Sequence, residues 1–180
     1  LRRALEQLGH TGALLNRPFT STFSHTQQLT NAIDEVCRAA GQLARQRYGA
    51  LIVIERDTGL QEFVERSVPL DALATRQLLI TIFFPNTPLH DGAVIIRNDR
   101  VAAAAAVLPL TQQELGGNLG TRHRAAIGIS EESDAVALVV SEETGQISVA
   151  TDGRLVRNLS QERLRRHMLL LFRLERGAAA

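Results

Sequence analysis

Leu89-His90-Asp91-Gly92-Ala93-Val94-Ile95-Ile96-Arg97-Asn98-Asp99-Arg100-Val101-Ala102-Ala103-Ala104-Ala105-Ala106-Val107-Leu108 is the stretch whose reading decides the fold. Ala93 to Arg97 is an apolar run of strand length, rich in branched residues. Asn98-Asp99-Arg100 is a turn, and Val101 to Leu108 reads as a second strand of small residues. Upstream, Pro85-Asn86-Thr87-Pro88 breaks whatever precedes it. Working outward, Ala50 to Ile54 and Ala135 to Val140 are further continuous apolar runs, the mark of strands buried on both faces. Gln146 to Ala150 adds another strand across a Glu-Glu-Thr-Gly turn.

The helical signals lie between these runs. Leu29, Ile33, Val36, Ala40, Leu43 and Ala44 recur at helical spacing from His25 to Tyr48, and Gly49 stops that helix. Leu60 to Ser67 is expected to pair back as a strand. Asp71 is expected to cap a helix through about Phe83. Thr121 is expected to cap one running to Glu131 or Glu132, and Ser160 a last one carrying Leu164, Met168, Leu171 and Phe172 on one face. Leu1 to Leu8 reads as a short helix, with residues 10 to 24 as connector. The interleaving predicts one α/β domain, a central mixed β-sheet covered by helices, over residues 1–176. Residues 177–180, Gly-Ala-Ala-Ala, read as a tail, and both ends look cut or engineered.

Bulk composition narrows the function. With 180 residues and 44% hydrophobic content the chain can bury a sizeable core. A formal charge of +1 gives no global case for nucleic acid or an anionic membrane. The lone Cys37 excludes an internal disulfide, and its place on the apolar helix stripe marks a buried thiol. All twenty basic residues are arginine. A phosphate-loop lysine and a Schiff-base lysine are therefore excluded, and every fixed cation is a planar guanidinium suited to bidentate phosphate contacts. The run contains no 18-residue apolar span and no secretory signal.

Two segments carry the chemistry. Asp91-Gly92 is an ordinary turn dipeptide. Its glycine also permits a positive φ and close backbone approach to a ligand. The Asp91 carboxylate then stands at a strand end, with His90 beside it as a metal ligand or phosphate partner. About thirty residues later, Gly120-Thr121-Arg122-His123-Arg124 opens a helix. Cations in a first turn oppose the macrodipole, so two arginines there call for an anion. Free N–H groups, the Thr121 hydroxyl and two guanidiniums would hold a phosphate together. Gly120 allows close approach and Gly116-Gly117 adds freedom. Ser141-Glu142-Glu143-Thr144-Gly145 is either an acidic hairpin loop or a source of further carboxylates. The remaining arginine patches, Arg2-Arg3, Arg163-Arg165-Arg166 and Arg173-Arg176, read as solvated helix faces. A carboxylate that can hold a divalent cation, near a fork of arginines, suits a polyphosphate ester.

Asp91-Gly92-Ala93 and Arg122-His123-Arg124 resemble the two signature motifs of the diadenylate cyclase domain family. Leu108-Pro109-Leu110, Gly120 through Ser130 and Val140 through Gly145 are similar to that family in order and spacing, and the likeness runs from about Leu1 to Phe172. It implies condensation of two ATP into cyclic di-AMP with release of two pyrophosphates, Mg²⁺ or Mn²⁺ as cofactor, and two subunits face to face. Asp91 is implied at the metal and the attacking hydroxyl; His90, from its place beside that carboxylate, is the second candidate metal ligand. Thr121, Arg122, His123 and Arg124 are implied at the triphosphate, Gly92, Ala93, Leu108 and Gly120 around the nucleotide, and Ser141 and Glu143 near phosphate or metal. The opening Leu1-Arg2-Arg3-Ala4-Leu5-Glu6 is most similar to the membrane-bound branch. That implies a cytosolic catalytic piece of a membrane-anchored bacterial parent and leaves room for a regulatory protein partner. Family members often carry an aromatic residue just before Leu-Pro-Leu; Val107 stands here, so adenine stacking at that position is not implied. Two other classes stay open: a module that binds ATP or a dinucleotide without turnover, and a DNA-binding domain, for which no helix-turn-helix pattern or basic stripe speaks.

Overall fold

A computed structural model describes residues 19–114, 116 and 119–174, with side chains from residue 25 onward. The helix expected at 1–8 and the tail at 177–180 lie outside the described residues. In chain order the elements are α1 (Phe19–Gln46), β1 (Ala50–Ile54), α2 (Gln61–Glu65), β2 (Val68–Leu73), α3 (Arg76–Ile82), β3 (Ala93–Arg97), β4 (Arg100–Ala106), α4 (Thr121–Glu132), β5 (Val136–Val140), β6 (Ile147–Thr151), β7 (Arg154–Val156) and α5 (Gln161–Leu171). The seven strands form one mixed sheet in the order β2-β4-β3-β1-β5-β6-β7. Only β1 and β3 pair in parallel; the other neighbours are antiparallel. This is the α/β domain with a helix-covered mixed sheet that the residue pattern predicts.

The apolar runs are continuous because each strand serves two cores. Ile52, Ile54, Val94, Ile96, Leu138 and Val140 point to the face covered by α1, α3 and α5. Their neighbours Leu51, Val53, Ile95, Ala137 and Val139 point to the face covered by α4. Strand side chains alternate, so a strand sandwiched between helix layers must be apolar at every position. Cys37 sits in the first core, 2% exposed. Burial, with the Asp34 charge adding to it, pushes its thiol up to about 12, so it is inert packing.

Five local readings differ from the structure, two of them for identifiable reasons. Leu60 to Ser67 contains the short helix α2 instead of a strand. The buried Glu55 carboxylate accepts the Leu60 N–H at 2.9 Å while also holding Arg97, and this fixes a turn where a strand would need a ladder. The strand follows as β2, and Asp71 lies inside it at φ 47, beside a register shift, paired with Arg100. The cap of α3 is Thr75, whose Oγ1 accepts the Leu78 N–H at 3.2 Å. At α4 the N-cap is Gly120 and Thr121 is the first helical residue. Helix α1 reaches back to Phe19, six residues before its expected start. Strand β7 was not foreseen; Ser160 does cap α5, accepting the Arg163 N–H.

Helix α4 is buried nearly all round, from Ala125 to Ser130. One side lies on the sheet, and the other meets the segment after β4. A Cβ on Gly128 would collide with the Pro109 carbonyl oxygen and lie 2.9 Å from the Thr111 nitrogen. Gly128→Ala sets two effects against each other. Alanine gains about 0.5–1 kcal/mol in helix propensity, whereas overpacking a filled contact costs about 1–3 kcal/mol. The backbone on the other side cannot rotate away as a side chain could, so net destabilisation of about 1 kcal/mol is expected in urea unfolding. A rise in the unfolding midpoint would mean that the 109–111 segment yields freely.

Candidate functional site

A cavity of about 630 Å³ opens at one edge of the sheet. That size suits a single nucleotide-sized ligand. Its position follows from the topology. The amino ends of the parallel pair β1 and β3 meet the carboxyl ends of their antiparallel neighbours β5 and β4, since Ala50 pairs with Val140 and Ala93 with Ala106. Asp91 therefore stands at the amino end of its strand, opposite to the carboxyl-end rule for open parallel sheets. The loop after β4 brings Val107, Leu108 and Leu110, the loop after β5 brings Ser141, Glu142 and Glu143, and the start of α4 closes the cavity with Gly120, Thr121, Arg122 and His123.

Gly92 has φ +110, the positive value its turn requires. Strand β4 passes so close that a Cβ there would lie 2.7 Å from the Ala105 carbonyl carbon. Ala105 itself has φ 55, at a register shift in the β3–β4 pairing. Such a bulge re-aims the chain beyond it. It turns Ala106 and Leu108 into the cavity, Leu108 being 7% exposed, and leaves Val107 at the mouth, 86% exposed.

Asp91 is exposed on the cavity wall. His90, half-buried beside it, has Nδ1 2.6 Å from the Thr87 carbonyl. A carbonyl only accepts, so Nδ1 is the donor, which leaves Nε2 as the nitrogen that could face a metal. Among the described residues no three His, Cys, Asp or Glu side chains converge on one point. A carboxylate and an imidazole still fit Mg²⁺ or Mn²⁺, because Mg²⁺ commonly takes only one or two protein ligands and fills its shell with water and phosphate oxygens.

At the start of α4, Arg122 donates from Nη1 to Glu142 Oε2 at 2.7 Å. The anion demanded by a cation in the first turn is thus supplied by the chain itself. The pair lies over Gly49, where a Cβ would come within 2.6 Å of Nη1. Arg122 Nε is buried with no hydrogen-bond partner among the described residues, a donor left over for a further acceptor. The first turn of α4 has no side-chain cap, and while the His123 N–H already donates to the Gly120 carbonyl at 3.0 Å, the N–H groups of Thr121 and Arg122 remain available. The Glu142 loop is fixed at its far end, where Gly145, φ +72, packs against the Ala44 carbonyl of α1.

The structure brings together His90, Asp91, Gly92, Leu108, Gly120, Thr121, Arg122, His123, Ser141 and Glu143 on one cavity. Ala93 and Arg124 are not on its wall. Ala93 is fully buried in the sheet, and Arg124 donates from Nη2 to the Thr111 carbonyl at 3.2 Å. Glu142, which the sequence offers only as part of an acidic loop, joins the site as the partner of Arg122; a first-turn arginine in need of an anion is the signal that points to it. Leu51 and Val140 had no signal beyond being apolar strand residues.

The chain matches the family model described as DisA bacterial checkpoint controller nucleotide-binding over residues 37–155. It is 51% identical over 166 residues to the cyclic di-AMP synthase CdaA of Bacillus subtilis, covering 92% of this chain and 59% of that protein. It is 48% identical over 172 residues to the diadenylate cyclase of Listeria monocytogenes, covering 95% of this chain and 61% of that one. The chain thus spans about three fifths of the length of these relatives. The crystal structure of DacA from Staphylococcus aureus, a double mutant, superposes with a TM-score of 0.76 at 48% identity, over 79% of this chain and 95% of that one.

His123 is 8% exposed. Burial lowers its pKa below the ordinary histidine range; the Arg157 charge lowers it further, and Glu143 opposes both. At neutral pH the ring is uncharged. The unfolded chain takes up this proton first as pH falls, so the neutral ring's contribution to stability is complete above about pH 6.5 and is lost as pH drops toward the folded value. His123→Gln should therefore flatten the decline of unfolding free energy between pH 7 and pH 4.5. An unchanged slope in the variant would show that this ring does not titrate differently on folding.

Proposed function

This chain belongs to the DisA bacterial checkpoint controller nucleotide-binding family, and from that membership we propose that it is a diadenylate cyclase catalytic domain that condenses two ATP into cyclic di-AMP. The observation that carries the reading is the joint lining of one cavity. Asp91 and His90 line a nucleotide-sized cavity together with Arg122, whose Nε is unpartnered among the described residues. A carboxylate beside an anion is favourable only with a cation between them, which fits a metal-bound triphosphate better than a bare phosphate sensor.

In this reading each subunit holds one ATP. Arg122, the Thr121 hydroxyl and the free N–H groups of α4 hold the triphosphate. The apolar wall of Leu51, Ala106, Leu108 and Leu110 takes the nucleobase without an aromatic stack from Val107. Gly92 and Gly120 let backbone approach the ligand, and Ser141 and Glu143 complete the rim near phosphate or ribose. Asp91 and His90 are the side chains that would hold Mg²⁺ or Mn²⁺. When bound, the cation neutralises phosphate charge and lowers the pKa of a hydroxyl beside it. His123, neutral at pH 7, can hydrogen-bond an oxygen at the cavity wall without adding charge.

Ring closure needs the 3′-hydroxyl of one ATP to attack the α-phosphate of the other, with loss of pyrophosphate, and then the reverse attack with loss of the second. One cavity presents one nucleotide, so two copies related by a twofold axis are required, each bringing its ATP to the shared mouth. A charge of +1 per chain imposes little repulsion on such a pair. No helix among the described residues is long and apolar enough to cross a membrane. Membrane anchoring of the whole protein, as its first six residues imply by likeness, would rest on sequence outside them. A regulatory protein partner would likewise act on the whole protein.

Incubation with ATP and Mg²⁺ or Mn²⁺ followed by mass analysis should yield cyclic di-AMP and pyrophosphate. Binding of ATP without product would leave a sensing module instead. Asp91→Asn keeps the shape of the side chain and removes its charge. Turnover should fall a hundredfold or more, about 3 kcal/mol of barrier, with an unchanged unfolding midpoint. Specific activity should also rise with protein concentration until a dimer saturates. Activity held constant down to concentrations where sedimentation finds only monomer would defeat the two-subunit mechanism.

A further inference from the structure

Arg124 is two residues from Arg122 in the first turn of α4, yet it faces away from the cavity. Its Nη2 donates to the Thr111 carbonyl at 3.2 Å, and its own carbonyl accepts the Thr111 N–H at 3.1 Å. Thr111 is 1% exposed. Its hydroxyl donates to Glu131 Oε1 at 2.7 Å and accepts the Gln113 N–H at 3.1 Å. Gln113 Nε2 reaches the same Glu131 oxygen. The segment that supplies Leu108 and Leu110 to the cavity is therefore tied to α4 at three points: residue 124, the Gly128 contact and Glu131.

We propose that Arg124 is a positioning residue for the nucleobase wall, not a triphosphate ligand. It fixes residues 108–111 against the helix whose first turn holds the phosphates, and so sets the distance between the base-binding and phosphate-binding parts of the cavity. The inference rests on the nucleotide reading above. The chemistry supports a strut. Arg124 is exposed, is absent from the cavity wall and directs an N–H to a partly buried protein carbonyl, whereas the Arg122 guanidinium, on the wall, retains an unused buried N–H. The two arginines of one motif are thereby divided between the two ends of the ligand. A triphosphate senses Arg122, and the base senses Arg124 through Leu108 and Leu110.

The test compares ATP with inorganic tripolyphosphate, which has the phosphates and lacks the base, by calorimetry on the whole domain with Mg²⁺ present. Arg122→Ala should weaken both ligands. Arg124→Ala should weaken ATP by about fivefold or more, the scale of one lost hydrogen bond of this kind, and leave tripolyphosphate within about twofold. Arg124→Lys, which keeps a donor, should recover part of the ATP affinity. Thr111→Val removes the Glu131 and Gln113 bonds without changing charge, and should repeat the Arg124→Ala pattern; it also serves if Arg124→Ala does not fold. A loss of tripolyphosphate affinity in Arg124→Ala equal to that of Arg122→Ala would overturn the proposal, as would unchanged ATP affinity in both Arg124→Ala and Thr111→Val. Wild-type protein that binds neither ligand would instead fail the nucleotide reading itself, and this inference with it.

Discussion

Helix α4 lies directly against the backbone of residues 109–111, and the rest of the site depends on that contact. Its first turn supplies Thr121, Arg122 and His123 to the cavity, and the segment it rests on supplies the apolar Leu108 and Leu110. The approach is possible only because residue 128 has no side chain. A second close approach, Gly92 against Ala105, fixes the Asp91 turn to the strand that leads into the same apolar wall. Two glycine contacts thus hold three cavity segments in register with one another. Neither relies on a long side chain, whose ordering would cost rotamer entropy.

The electrostatics are arranged with similar economy. All cations are guanidiniums, and the one in the cavity wall is already paired with Glu142. The pair could be taken for an obstacle to anion binding. Magnitudes argue otherwise. Glu142 is 62% exposed at its side chain, so the pair contributes at most about 1 kcal/mol. A charge-assisted bond to a phosphate oxygen in a partly closed cavity is worth about 1.5–3 kcal/mol. Glu142 therefore holds the Arg122 guanidinium over Gly49 in one geometry, and in the proposed reading it would compete only weakly with a phosphate oxygen. The price is small because the carboxylate can return to water.

The central strands were legible in the sequence because burial on both faces forces an uninterrupted apolar run, as in Ala50–Ile54, Ala93–Arg97 and Val136–Val140. The amphipathic helices α1 and α5 were legible for the complementary reason. The misread segments share one cause: a side chain whose partner lies far along the chain. Leu60–Ser67 has strand composition, but Glu55 and Arg97 set its turn. Asp71 has capping chemistry, but its carboxylate is taken by Arg100. In the site, Arg122 stood out because a cation at a helix start breaks a local rule; Asp91 and His123 broke none and were marked by the company of the arginines and by the family motifs. Arg124 broke the same rule and was grouped with them; only its distance from the cavity wall separates its role. Leu51 and Val140 broke no rule, and nothing local distinguishes a strand residue that lines a cavity from one that fills a core.

The site also sits where an open parallel sheet would not place one, and the mixed pairing explains it. In a parallel sheet all chains leave at one edge, so only outgoing loops can converge there. Here β1 and β3 run one way and their neighbours β5 and β4 the other. Two incoming turns, at Gly49 and at Asp91-Gly92, therefore share an edge with two outgoing loops, after Ala106 and after Val140. The Asp91-Gly92 turn is pinned by its close approach to Ala105 of β4, which suits rigid placement of a carboxylate. The segments after β4 and β5 supply the apolar wall and the acidic rim. A reaction that requires alignment of two ligands more than covalent help from the protein gains from that division, because misplacement of a reacting atom by about 1 Å can cost about a hundredfold in rate.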